Sequence, residues 1–199
     1  MINLSKINNK HKPYIIFNKL YDMALNAEQS QIEAINISSY QKKTNEVFSR
    51  FVNIKFVEDE KWIFFSNYNS PKAKQFNLHD QISAVFHWNS INVQIRMLAK
   101  IKKTSLDFNK EYFKYRSKEK NALAISSNQS KPIQSYEEVL ARYKEVKDND
   151  DLTICPDYWG GFSFTPYSFE FWKGHHSRLN KRDAYIRNEN TWDHNILQP

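Results

Sequence analysis

Cysteine is almost missing from this sequence: Cys155 stands alone among 199 residues. No intramolecular disulfide can form and no thiolate cluster can hold a metal, which points to a reducing compartment. Glycine is scarce too, with three residues, none of them in the GxSxG turn that presents a hydrolase serine. His87, His175 and His176 invite a metal reading, but no HxxxH spacing or matching carboxylate accompanies them, so no metal is expected. No run approaches the roughly 18 to 20 apolar residues needed to cross a bilayer. Lys and Asn interrupt the opening MINLSKINNKHKPY, where a secretory signal would carry its apolar centre. The expectation is a cytoplasmic protein with no membrane contact.

Aromatic side chains are what the sequence has in plenty: 14 Phe, 11 Tyr and 5 Trp. Flat rings pack well on a pleated surface, so many strands are expected. The length suits one domain with its own core. With no internal repeat and no linker composition, residues 1–199 read as a single domain whose polar segment 1–12 is mobile. The formal net charge of +7 favours anionic partners: nucleic acid, acidic membranes or phosphorylated small molecules. A nucleic-acid module calls for basic and aromatic residues striped along one sheet face. The basic residues here fall instead in separate short motifs, so no nucleic-acid partner is expected.

Periodicity places the elements. Apolar residues at helical spacing (Ile16, Leu20, Met23) predict a helix over 13–26. Alternation predicts strands over 34–40 and 46–57, a tight turn at EDEK (58–61) and a strand over 62–67, an antiparallel meander. Ser70 followed by Pro71 is a helix start, with a capping hydroxyl and then proline at the first helical position. Two longer strands follow at 81–88 and 92–103, then helices at 107–115 and 118–126. A capping box at Ser135–Glu138 opens a third helix, and KDNDD (147–151) is a surface excursion. Strands return over 160–172, 182–189 and 191–197.

Four segments then stand in a telling order: RFVNIK (50–55), FFSNYNSPKA (64–73), Gln129–Ser130, and YWGGF followed by FEFWKGHHSRLNKR within 158–182, with HNILQP at the end. Together they resemble the pyridoxine/pyridoxamine 5'-phosphate oxidase family over about residues 34–199. That resemblance implies a mainly β, α+β fold, a six-stranded antiparallel FMN-binding split β-barrel with flanking helices. It further implies a homodimer with two intersubunit FMN sites. The implied reaction oxidises pyridoxamine or pyridoxine 5'-phosphate to pyridoxal 5'-phosphate, with O2 consumed and H2O2 released. A related split barrel with another role, such as a flavin reductase or a non-oxidising binder of flavin or B6 vitamers, is the alternative.

Carried over residue by residue, the resemblance assigns FMN contacts to Arg50, Phe51, Val52, Asn53, Ile54, Lys55, Phe65, Ser66, Lys72, Gln94, Gln129, Ser130, Trp172 and Arg182. It assigns the substrate to Lys55, Tyr112, Arg116, Lys120, Arg178 and Asn180, with Arg178 covering the pyridine ring as the catalytic residue. The chemistry suits these types. A phosphate dianion wants cations and hydroxyls, and Lys72 falls in the first turn of a helix, where free N–H groups already favour an anion. Strand alternation puts Arg50 and Lys55 on opposite faces. Tyr112 and Arg116, four apart on a helix, share one face. Trp172 and Arg182 could come from the opposite chain. The family pattern is broken at four places: Pro71 for arginine, Phe65 for tyrosine, Lys120 for serine and Asn180 for histidine. The lost cation at position 71 would cost about 1 to 3 kcal/mol of FMN binding.

Overall fold

In a computed structural model, residues 2–6 and 10–199 are described. The elements in chain order are β1 (Asn3–Lys6), α1 (Lys12–Asn26), β2 (Ala34–Gln41), β3 (Glu46–Asn53), β4 (Phe56–Glu58), β5 (Lys61–Asn67), α2 (Pro71–Leu78), β6 (Gln81–Trp88), β7 (Val93–Lys103), α3 (Leu106–Tyr115), α4 (Lys118–Ser126), α5 (Tyr136–Asn149), β8 (Trp159–Lys173), β9 (Lys181–Asn188) and β10 (Thr191–Leu197).

Alternation builds the sheet. Ile35 and Ile37 on β2, Ile82, Ala84, Phe86 and Trp88 on β6, and Val93, Ile95, Met97, Ala99 and Ile101 on β7 all turn to one buried face. Phe162, Phe164, Phe169 and Phe171 on β8 join them, although their numbers switch from even to odd. A bulge resolves the parity. Leu98 pairs with Ser168 and Ala99 with Pro166, which leaves Tyr167 as an extra residue. Helix α1 lays Tyr14, Phe17 and Tyr21 on this face, and Phe17 meets Trp62 edge-on at 4.5 Å. The Trp88 indole, buried with them, donates to the Ile32 carbonyl at 3.1 Å.

The ten strands form one sheet in the order β1-β4-β5-β8-β7-β6-β2-β3, with β9 on β8 and β10 on β9. Strand β8 is where the barrel splits. Its first half pairs with β5 (Trp159–Phe164) and its second half with β9 (Ser168–Lys173), while β7 follows its other edge. The expected antiparallel split-barrel class holds, with ten strands instead of six and one parallel pair, β1 with β4. The expected mobility of 1–12 lies outside the described residues at positions 1 and 7–9; within that stretch Asn3–Lys6 pairs as a strand. The strand expected over 46–57 stops at Asn53 and resumes as β4, because Ile54 and Lys55 turn their N–H groups to Glu33 and Ile63 in separate directions. Helix α5 runs on to Asn149, into the charged stretch expected to lie beyond it.

Candidate functional site

Helices α2, α3 and α4 gather over the ends of β3 and β5, and a cleft of about 500 Å³ opens between them. At one end stands Lys72, in the first turn of α2. Its ammonium donates to Ser66 Oγ at 2.9 Å and to Gln129 Oε1 at 3.1 Å, and Ser66 Oγ also donates to that amide oxygen. Arg50 lies behind it, donating to Ser39 Oγ at 2.6 Å, Gln75 Oε1 at 2.8 Å and the Ile37 carbonyl at 3.1 Å. Every one of these acceptors is neutral. Burial, reinforced by the charge of Arg50, pulls the Lys72 pKa down to about 8. Burial also lowers that of Arg50. Two neighbouring half-buried cations with only neutral oxygens around them make a cradle suited to an anion.

The other end is aromatic and basic. Phe65 stacks on Tyr112 with centroids 4.0 Å apart and on Trp159 at 5.0 Å. Arg116 caps α3, lies over the Trp159 ring at 4.5 Å and donates to Asn121 Oδ1 at 3.1 Å. Burial raises the Tyr112 pKa against the pull of Arg116, and it lowers that of Arg116. Lys55 reaches Glu33 at 3.5 Å, and Lys120 sits exposed in the first turn of α4 on the same cleft. Since the chain leaves the strand after Asn53, alternation does not govern Lys55: it lines the cleft with Lys72, the cation that Arg50 backs.

The cleft therefore brings together Phe51, Val52, Asn53, Lys55, Phe65, Ser66, Lys72, Tyr112, Arg116, Lys120 and Gln129. Ile54 is fully buried, so only its backbone can face a ligand. Ser130 turns away with φ +67° and lines a neighbouring hollow.

The remaining expected residues form a second group. Gln94 pairs with Trp172 across β7 and β8, and Trp172 pairs with Arg182 across β8 and β9. Glu170 Oε1 accepts from Arg182 at 2.8 Å and from Arg96 at 3.3 Å, and Arg96 also reaches Gln94. The Glu170 hydrogen bond raises the Arg182 pKa. Arg178 and Asn180 lie in the loop after β8; Arg178 is exposed with φ +62°, and Asn180 Oδ1 accepts from the His175 N–H at 3.0 Å. This group is remote from the first. Ser66 pairs with Gly160 at the start of β8 and Trp172 lies near its end. Twelve steps along a strand span up to roughly 40 Å.

Sequence reading missed the supporting partners. Ser39 and Gln75 orient Arg50, Trp159 is the platform for Arg116, and Glu170 joins the second group. Gln75 had a signal, three residues after Lys72 on the same helix; Ser39, from another strand, had none.

Residues 159–199 match the pyridoxine 5'-phosphate oxidase C-terminal dimerisation region. The chain is 32% identical to the pyridoxine/pyridoxamine 5'-phosphate oxidase of Alteromonas mediterranea, covering 99% of this chain and 94% of that one. With the enzyme of the same name from Herminiimonas arsenicoxydans the identity is 31%, with the same coverage. Among solved structures, PhzG from Burkholderia lata in complex with tetrahydrophenazine-1-carboxylic acid superposes with a TM-score of 0.87 at 22% identity, covering 96% of this chain and 95% of that one. A pyridoxamine 5'-phosphate oxidase-related, FMN-binding protein from Nostoc punctiforme gives 0.75 at 13% identity, covering 92% and 97%. These two show the fold. The dimerisation region supports a homodimer, and among the described residues no helix is long and apolar enough to cross a membrane. The sequence relatives show more than the fold: this chain belongs to the pyridoxine/pyridoxamine 5'-phosphate oxidase family, an FMN-dependent split-barrel family.

Proposed function

We propose that the protein is an FMN-dependent oxidase of pyridoxamine or pyridoxine 5'-phosphate, working as a homodimer in the cytoplasm. The observation that carries this reading is the pair Lys72 and Arg50, two cations whose hydrogen-bond partners are all neutral. That donor set suits the FMN phosphate, with Ser66 and Gln129 as its further polar contacts. Bound there, FMN supplies the two-electron acceptor that O2 restores with release of H2O2.

The chain's own residues bind and orient. Lys55, Tyr112, Arg116 and Lys120 hold the substrate phosphate at the other end of the cleft. The Arg116 guanidinium is fixed by Trp159 and Asn121, so little freedom is lost when it takes an anion. Gln94, Trp172 and Arg182 address the flavin from the partner chain. From the same loop region Arg178 covers the pyridine ring and Asn180 takes the place of the family's histidine. Holding the reacting carbon against the cofactor is the main task left to the protein.

Purified protein should be yellow, and anaerobic pyridoxamine 5'-phosphate should bleach it; air should then yield pyridoxal 5'-phosphate and H2O2. A second reading, an FMN-binding relative with another substrate or a reductase role, draws on Lys120 standing where the family has serine. Bleaching by NADPH and not by the phosphorylated vitamer would favour it and sink the first.

A further inference from the structure

Helix α3 carries Tyr112 and Arg116, and one buried polar side chain ties that helix to β8 by a hydrogen bond. Asn109 is 1% exposed and sits one turn before Tyr112 and two turns before Arg116. Its Oδ1 accepts from Thr104 Oγ1 at 2.6 Å and from the Gly161 N–H at 2.8 Å, while its Nδ2 donates to Tyr68 Oη at 2.9 Å. Tyr68 Oη donates in turn to the Gly161 carbonyl at 3.0 Å, and the Thr104 N–H reaches that carbonyl at 3.0 Å. The amide orientation is fixed from three sides. No other side chain of its size offers two acceptor lone pairs and a donor at these places without charge.

The sheet is shaped to receive it. A Cβ on Gly160 would run into Tyr68 Oη and Asn109 Nδ2, and one on Gly161 into Thr104 Oγ1. Gly160 and Gly161 pair with Ser66 and Phe65, so the lock lies across the strand from cleft residues. The helix's other contacts with the sheet are between rings: Phe113 is edge-on to Trp159 at 4.9 Å, Tyr112 stacks on Phe65 at 4.0 Å and Phe108 packs on Phe65 at 6.0 Å. Apolar contact fixes a distance but leaves rotation soft, whereas hydrogen bonds fix direction. The cation cradle at Lys72 rests on α2, β2 and β3, with Ser66 of β5 and Gln129 beyond α4, and its hydrogen bonds go to none of the residues of α3.

We infer that Asn109 is a positioning residue that sets the place of α3, and through it the affinity for the phosphate group of the substrate. The inference rests on the proposed substrate cleft. Asn109→Ala and the milder Thr104→Val, which removes one hydroxyl donor, are compared with the wild-type holoprotein. In N109A the KM for pyridoxamine 5'-phosphate should rise about tenfold with kcat within about twofold. Calorimetric titration of the FMN-free protein with pyridoxal 5'-phosphate should weaken in parallel, while FMN affinity and turnover of unphosphorylated pyridoxamine stay at wild-type level. T104V should show the same pattern with a smaller rise, and it serves alone if N109A does not fold. An equal loss for phosphorylated and unphosphorylated vitamers, or a loss of FMN affinity, would mean a merely structural role and overturn the inference. Wild-type affinity retained in the variants would overturn it alone, whereas a wild type that fails to bind the phosphorylated vitamer overturns the cleft's reading with it.

Discussion

Lys72 keeps its proton against two opposing influences, burial and the charge of Arg50, which together bring its pKa from 10.5 to about 8. The direction has two consequences of opposite sign. Between the folded and unfolded values the unfolded chain holds more protons, so this residue's contribution to stability of the FMN-free protein rises as pH rises from about 8 towards 10.5. Over the same rise, the cradle loses the charge that would meet a phosphate. A bound dianion restores the proton, so FMN binding takes up a proton above pH 8 and affinity falls there. Fluorescence titration of FMN into the cofactor-free protein at pH 7 and pH 9 should show weaker binding at the higher pH. Lys72→Met should bind weakly at both, with the pH dependence largely gone; a variant that keeps the wild-type slope would move the titrating group elsewhere.

At the scale of elements, the geometry turns on one extra residue, whose place the aromatic spacing marks but whose pairing it does not. The stretch FSFTPYSFEF shifts its aromatic parity at Thr165 and Pro166, and the core takes Phe162 and Phe164 before the bulge and Phe169 and Phe171 after it. Tyr167 supplies the one-residue shift. Deleting it would leave Pro166 against Ala99 and Ser168 against Leu98 as ordinary consecutive pairs, so the bulge would disappear while Phe169 and Phe171 keep the core face and the pairing with β9. The deletion variant should therefore still give a cooperative melt by circular dichroism; a loss of cooperativity would show that the bulge itself is required. Tyr167→Ala, which keeps the residue count at a half-buried position, should lose no more than about 1 to 2 kcal/mol.

The same contrast explains how much of the molecule could be read ahead. Helices with local caps and strands with strict alternation were visible because their cause lies within a few residues: Ser135 accepts from Glu138 N as the capping box implied. The β1–β4 pair was not, because parallel pairing of distant segments leaves no mark in a short polar strand. In the site, the cations and Tyr112 stood out by type and motif. Their neutral holders, Ser39, Gln75 and Asn109, look like surface polar residues until the fold buries them.

For the whole molecule, the long strand β8 separates two groups that one flavin would have to touch together. Lys72, Ser66 and Gln129 lie by its start, and Gln94, Trp172 and Arg182 by its end, up to roughly 40 Å along the strand. A separation near that bound is more than a mononucleotide bridges, so each flavin is expected to draw on two chains. A two-fold partner that sets its β8 end against this chain's β8 start closes the gap and does so twice. The match of residues 159–199 to a dimerisation region puts the second group on the right part of the chain. Complementation tests this directly. Lys72→Met and Arg182→Ala homodimers should each be nearly inactive, because each site carries one lesion. A mixed dimer places both lesions in one site and leaves the other intact, so coexpressed and tag-purified heterodimers should recover about half of the wild-type activity per dimer, as expected for one intact site of two. Were all contacts drawn from a single chain, every site in the mixed dimer would still carry a lesion, and no activity would return.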